Sequence, residues 1–414
     1  MFETAAILLT AAAIFSYINV KYLRLSDSVG LTILSMAFSF LLVIWGRLGF
    51  EHIQSQALAF VSGINFSQTF LVGMLGYLLF AGALQIDVNE LWDNRFEIGV
   101  FSTFGVLAST LLVGLFTHSV LRGLGIEMSL VYCFLFGALI SPTDPILVLA
   151  VLKSVGARRG LQAKIAGEAL FNDGVGIVVF LLIAGIAQGG SISLGSATGL
   201  FLAESLGGFV LGFLAGYIGL HFLNQVANYK VEVLITLALV TSGYALASWL
   251  HISGAIAMIT AGLLIGNRGR FFAMSDEARH NLRNFWDLID DMLNSLLFVI
   301  IGLELVVIPI SAQYALAGAC AIAVVLAARW MSIAFPVSLF RIAGRAVGEG
   351  TTRIMTWGGL RGGIPVALAL SLQATPERNL ILTMTYIVVA FSIIVQGSTI
   401  RRFVASIYQH TPLS

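Results

Sequence analysis

The chain has 414 residues, of which 58% are hydrophobic and only 10% charged, and its formal net charge is +1. A soluble domain carries about 25% charged residues, so the composition excludes an ordinary water-soluble fold. The near-neutral net charge gives no sign of a nucleic-acid partner.

A helix that crosses a bilayer needs about 20 apolar residues. Runs of that kind recur from end to end and predict thirteen spans, near 3–20, 29–48, 67–86, 96–121, 128–153, 160–187, 195–223, 231–249, 252–266, 285–307, 313–340, 353–372 and 379–400. The first run lacks the basic start and the small-residue cleavage site of a signal peptide, so it reads as a retained helix. Cys133 and Cys320 sit in distant apolar runs and read as small core residues, with neither a disulfide framework nor metal-ligand spacing. The longest polar stretch, 267–284, holds Arg268, Arg270, Asp276, Glu277, Arg279 and Arg283 and is expected to be a solvated cytoplasmic loop. Asp287, Asp290 and Asp291 follow it, either as a funnel that attracts cations or as a solvated helix end. No separate soluble domain is expected.

Basic residues set the orientation. With the N-terminus outside, seventeen of the 22 Lys and Arg residues fall on the cytoplasmic side, leaving Arg47, Arg122 and Arg378 opposite and Arg329 and Arg361 within spans. An odd number of spans then leaves the C-terminus inside. The expected location is the inner (plasma) membrane.

Two spans carry backbone that a plain membrane helix should not. The fifth contains Ser141-Pro142-Thr143-Asp144-Pro145, where two prolines remove donors and obstruct helical bonding. The twelfth contains Gly358-Gly359-Leu360-Arg361-Gly362-Gly363-Ile364-Pro365. Broken backbone at membrane depth is tolerated only inside protein or beside a wet cavity. The breaks are seven spans apart, so the two elements have opposite orientations. This predicts inverted repeats, about 3–187 and 231–400, joined by a linker helix at 195–223, and paired interruptions of this kind point to a transporter's binding site.

Ionisable residues at membrane depth are functional candidates. Asp173 in the sixth span is the first choice, because one carboxylate can hold sodium or a proton but not both at full strength. Hard cations prefer oxygen donors, which Thr143 and Asp144 can supply from the unwound turn. Asp144 can also cap the broken helix. Glu168 and Asn172 are four apart and share a helix face, whereas Asp173 lies about 140° away from Glu168. Glu168 is therefore expected to pair with Arg329 as a structural bridge, and Arg361 to compensate the exposed carbonyls at the break.

The strings SPTDP, GEALFNDG, NSLLFVIIGLEL and TWGGLRGGIPVALAL, in that order, resemble the NhaP/NHE branch of the monovalent cation–proton antiporters over essentially the whole chain. The resemblance implies an all-α polytopic membrane protein of the NhaA-like antiporter fold, with crossed, discontinuous helices. It also implies a homodimer, in which a core domain moves elevator-like against a dimerisation domain. Its ion-binding aspartate falls on Asp173 with Asn172 beside it, its unwound-helix residues on Thr143 and Asp144, and its interhelical pair on Glu168 and Arg329. Electrogenic relatives have two adjacent aspartates where this chain has Asn172-Asp173, so the resemblance implies one proton per sodium. Ala81 and Ala169 depart from the pattern, standing where many relatives have Glu and Ser. No cofactor is implied, and the transported ions, sodium and protons, are the substrates. A potassium/proton antiporter of the same architecture is the first alternative. A channel is disfavoured by carboxylates set on broken inverted repeats. An intramembrane enzyme is disfavoured because all six histidines (His52, His118, His221, His251, His280 and His410) lie near span ends or in loops.

Overall fold

The computed structural model describes the chain except for residues 1, 49–50, 65, 189–193, 227, 268–275, 309–310, 346, 349 and 410–414. Every regular element among the described residues is helical. In chain order, α1 (Phe2–Ile18) runs into a π turn, Asn19–Leu23, and is followed by α2 (Asp27–Arg47) and α3 (Glu51–Gly63). Next, α4 (Phe66–Gln68), a π turn at Thr69–Met74 and α5 (Leu75–Leu84) form one continuous stretch. Short α6 (Val88–Asp93) and α7 (Arg95–Gly99) lead through a third π turn into α8 (Gly105–Gly123). The first broken span is α9 (Leu130–Ile140) plus α10 (Ile146–Ser154). After it come α11 (Arg159–Ala187), α12 (Leu194–Leu223), α13 (Tyr229–Trp249), α14 (Gly254–Gly266), α15 (Asp276–Leu303) and α16 (Ala312–Ile342). The second broken span is α17 (Thr351–Trp357) plus α18 (Gly363–Ser371). Finally α19 (Pro376–Phe391), a π turn at Ser392–Gln396 and α20 (Gly397–Gln409) make one long helical rod.

The helix starts follow local chemistry. Asp87, Asn228, Ser253 and Thr375 each accept a backbone N–H of the turn they precede, and Pro376 occupies the first position of α19, where a missing N–H costs nothing. Among the described residues nine helical stretches are long and apolar enough to cross a membrane, and they coincide with predicted spans one to four, six to eight, eleven and thirteen. The other four predicted spans hold the two broken helices, the 13-residue α14 and the second half of α15.

One expectation needs correction, and one helix falls outside the predicted spans. The stretch 267–284 is not simply a loop: helix α15 begins at Asp276, while Arg268 and Arg270 lie outside the described residues. Leu282 and Trp286, one turn apart, are buried while Arg283 and Asp287 are exposed, so an amphipathic helix start concealed itself from a search for apolar runs. Similarly, α3 occupies a stretch where no span was placed. Its 13 residues reach only about 20 Å, short of the roughly 30 Å hydrocarbon core.

Backbone contacts divide the chain into two compact units: unit 1 comprises Met1–Phe70, Ala108–Ala157 and Asn294–Ser414, and unit 2 comprises Leu71–Leu107 and Arg158–Leu293. Within unit 1, Ser35 and Ser39 of α2 donate their hydroxyls to the carbonyls of Phe298 and Gly302, at 3.3 and 2.9 Å. A hydroxyl that answers a neighbouring helix's carbonyl is one of the ways membrane helices associate without a hydrophobic driving force. Within unit 2, α14 packs against α12 and α5, with eight of its 13 residues buried. Small residues make that possible: Gly208 and Gly212 lie against the backbone of Ser253 and Ala257, and Gly262 against that of Phe80. Trp286 is fully buried, donates to the Thr236 hydroxyl at 3.1 Å and stands 4.7 Å from the Phe80 ring.

Candidate ion-binding site

Unit 1 contains both broken helices and joins them. At the end of α9 the chain leaves helical geometry, and the peptide N–H of Asp144 donates to the carbonyl of Leu360 at 2.8 Å. This antiparallel bridge links the two unwound stretches. The carboxylate of Asp144 accepts the Ile146 N–H at 2.9 Å and so caps α10. Thr143 is buried beside it.

The exposed carbonyls of the first break are met from the second. Nη1 of Arg361 donates to the carbonyl of Ser141 and, at 3.0 Å, to that of Pro142. A helix end leaves carbonyls unsatisfied, and a guanidinium supplies several donors in a fixed fork. Arg361 is only 2% exposed, so those bonds are made away from water. Ser141 is anchored in turn: its hydroxyl donates to the Gly137 carbonyl at 2.7 Å and lies within hydrogen-bond distance of the Ser109 hydroxyl, at 3.0 Å.

The glycines of the second break make this approach possible. A Cβ on Gly362 would lie 2.9 Å from Oδ2 of Asp144, and one on Gly359 would lie 2.8 Å from Nε of Arg329. Arg329, on α16 and 5% exposed, also donates to the Met355 carbonyl at 3.4 Å. Arg329, Thr356, Gly359, Arg361 and Gln396 line one side of a small, mostly apolar cavity at the same place, with Ile322, Val325 and Phe391 among its other walls.

Unit 2 carries the other candidates, all on α11. Glu168 is 2% exposed and Asn172 fully buried. The Asn172 amide donates to Oε1 of Glu168 at 3.1 Å, as residues four apart on one helix face allow. Asp173, the next residue, is half-buried. Two neighbours of Asp173 are small: Gly174, whose Cβ would meet Ile256 at 3.0 Å, and the buried Ala169. Ala81 is fully buried on α5. The sequence candidates therefore group as Thr143, Asp144, Arg329 and Arg361 in unit 1, and Glu168, Asn172 and Asp173 in unit 2.

Sequence reasoning missed two residues at the second break. Ser392 accepts the Arg361 N–H at 2.9 Å, and the Gln396 amide donates to the Trp357 carbonyl at 2.9 Å. The available signal was two polar residues four apart inside an apolar run, which gains meaning only once the facing segment is known.

Comparison with known proteins agrees with this architecture. Residues 8–406 match the family model described as sodium/hydrogen exchanger, transmembrane. The chain is 44% identical to the Na(+)/H(+) antiporter NhaP of Pseudomonas aeruginosa, over 100% of this chain and 98% of that protein. It is 29% identical to the Na(+)/H(+) antiporter NhaH of Halobacillus aidingensis, over 95% of each. Among solved structures, the sodium proton antiporter MjNhaP1 of Methanocaldococcus jannaschii superimposes with a TM-score of 0.76 at 18% identity, covering 98% of this chain and 99% of that one. Paired broken helices, the membrane-length apolar helices and a match over nearly the whole chain thus meet in one conclusion: the chain belongs to the transmembrane sodium/hydrogen exchanger family.

Proposed function

We propose that this protein exchanges sodium for protons across the inner membrane, by competition of the two ions at Asp173. The observation that carries the reading is the near-complete match to proteins named Na(+)/H(+) antiporters in a chain whose two broken helices are bonded through Asp144 and Leu360. Thr143 and Asp144 are assigned as further oxygen donors to sodium, and Asn172 as the residue that leaves Asp173 the single titrating group of its pair. One proton then moves per sodium and no net charge crosses. A moved charge would couple transport to voltage by about 2.3 kcal/mol per 100 mV; electroneutral exchange follows chemical gradients alone.

The same reading takes Glu168 and Arg329 as a structural ion pair. Removing one member of a buried pair is costly, so Arg329→Ala is expected to lower membrane levels and thermal stability more than ion selectivity. Inverted repeats about 3–187 and 231–400, supported by the spacing of the breaks, and an external N-terminus, supported by the distribution of basic residues, complete the proposal, with elevator-type alternation and a homodimer taken from the family resemblance.

The test is reconstitution in liposomes with a pH-sensitive dye inside. Sodium, lithium and potassium are added in turn, with the voltage clamped and unclamped, beside Asp173→Asn. Sodium-driven proton movement that ignores voltage and is lost in the variant is the expected result. Potassium-selective flux would move the assignment to a potassium/proton antiporter, and full activity of Asp173→Asn would displace the ion site.

A further inference from the structure

The last helical rod is interrupted by a π turn at Ser392–Gln396. A π turn is a rare single-turn bulge within an α-helix, bonded i to i+5, and is frequent at functional sites. Here it presents two polar side chains, Ser392 at 1% and Gln396 at 3% exposure, with Ile393, Ile394 and Val395 between them.

Their partners are the two ends of the second break. Trp357 is the last residue of α17, so its carbonyl is one that the helix leaves unsatisfied; Nε2 of Gln396 donates to it at 2.9 Å. Arg361 lies in the unwound stretch before α18, and Oγ of Ser392 accepts its N–H at 2.9 Å. One turn further on, Thr399 accepts the indole N–H of Trp357 at 3.1 Å. The segment from Trp357 to Arg361 is therefore pinned at both ends by the rod. Its fourth residue, Leu360, holds the N–H of Asp144, and its last residue holds the carbonyls of Ser141 and Pro142.

We propose that Ser392 and Gln396 are positioning residues for ion exchange: through Trp357 and Arg361 they fix the unwound segment that sets the place of Asp144. They act through the backbone and do not touch the ion. The proposal rests on the reading that Asp144 contributes to the cation site. Packing alone would also bury two polar residues here, but packing does not require a donor and an acceptor aimed at the opposite ends of one break.

Ser392→Ala removes only the hydroxyl, and Gln396→Leu keeps most of the volume without the donor. Each variant, with Ser392→Thr and Asp144→Asn, is reconstituted as the full-length chain. Sodium dependence and pH profile of exchange are measured, with thermal stability in detergent as the structural control. For Ser392→Ala and Gln396→Leu we expect the half-saturating sodium concentration to rise about fivefold to tenfold, equivalent to about 1–1.4 kcal/mol. The maximal rate per folded protein should stay within about twofold of the parent, since a misplaced ligand weakens binding before it blocks turnover. Ser392→Thr, which keeps the acceptor oxygen, should recover most of the affinity. If Gln396→Leu does not fold, Ser392→Ala decides. Unchanged half-saturation in both variants, or a loss of maximal rate alone in step with lost folded protein, overturns the proposal when Asp144→Asn does shift half-saturation. If Asp144→Asn leaves half-saturation unchanged, the assignment of Asp144 to the ion site fails, and the positioning role falls with it.

Discussion

The two breaks in unit 1 are made by opposite means. The first uses proline: Pro142 and Pro145 have no N–H, so the stretch Ser141–Pro145 has few donors to satisfy and a surplus of carbonyls. The second uses glycine: its N–H groups are intact, and Gly358, Gly359 and Leu360 bond locally to Ile354, Thr356 and Gly358 at 2.7, 3.4 and 2.8 Å. That break has donors to give, the Arg361 guanidinium above all, and lacks side chains that would hold its neighbour away. The first break presents the Ser141 and Pro142 carbonyls to Arg361 and returns one donor, the Asp144 N–H, to the Leu360 carbonyl. The crossover is thus held by complementary chemistry rather than by two independent kinks.

The largest expected effect comes from removing the donor that reaches from the second break to the first. Arg361→Ala leaves the buried carbonyls of Ser141 and Pro142 without that guanidinium, at about 1–3 kcal/mol for each group left unsatisfied. We expect a markedly lower thermal midpoint in detergent and little folded protein in the membrane. Arg361→Lys keeps the charge but not the planar fork and should recover only part of the loss. A melting curve for Arg361→Ala that superimposes on that of the parent would break the comparison, because the proline break would then need no donor from its partner.

Next in size is the loss of close approach. Gly362→Ala puts a Cβ 2.9 Å from Oδ2 of Asp144. Overpacking of this kind costs about 1–3 kcal/mol, and the strain falls on a proposed ion ligand. Weakened sodium dependence of exchange, at near-normal protein levels, is the expected outcome. Gly359→Ala crowds Nε of Arg329 instead, at 2.8 Å, and should act on thermal stability more than on sodium dependence. The pair of variants separates the two faces of one glycine run. If both gave the same phenotype, the division between ion-facing and structural glycines would be wrong.

Both breaks were legible in the sequence, since proline, glycine and charge at membrane depth are local signals. So was the grouping of Glu168 with Asn172, fixed by helical period alone. What joins the breaks was not legible. The bond from Asp144 to Leu360 is a backbone contact between residues more than two hundred apart, and no side-chain type announces it. The π turn at Ser392–Gln396 has no sequence signature either. Amphipathic or short helices, the start of α15 and all of α3, escaped because a search for apolar runs of about 20 residues does not register them. The sequence thus reveals where helical bonding fails, while the partners that repair it emerge from packing.

The smallest effect is expected where the sequence signal is loudest. Pro145→Ala returns a donor to the first break and removes the ring that opposes helix continuation. In a continuous helix the new N–H of residue 145 would seek the carbonyl of residue 141, four positions back. That carbonyl already accepts from Arg361, the Asp144 N–H is committed to Leu360, and the Asp144 carboxylate caps Ile146. Closing the helix would trade these three contacts for the helical bonds of residues 144, 145 and 146, a gain of none, and Pro142 would still stand in the way. The variant should therefore stay unwound, with a stability change of about 0.4–1 kcal/mol that reflects the more flexible unfolded chain. Sodium-driven proton exchange should persist, read in the same liposome assay beside a thermal melt. Abolished exchange with an unchanged melt would show that the proline itself, rather than the bonds crossing from the second break, keeps the segment open. The comparison between the two breaks would then reduce to two separate kinks.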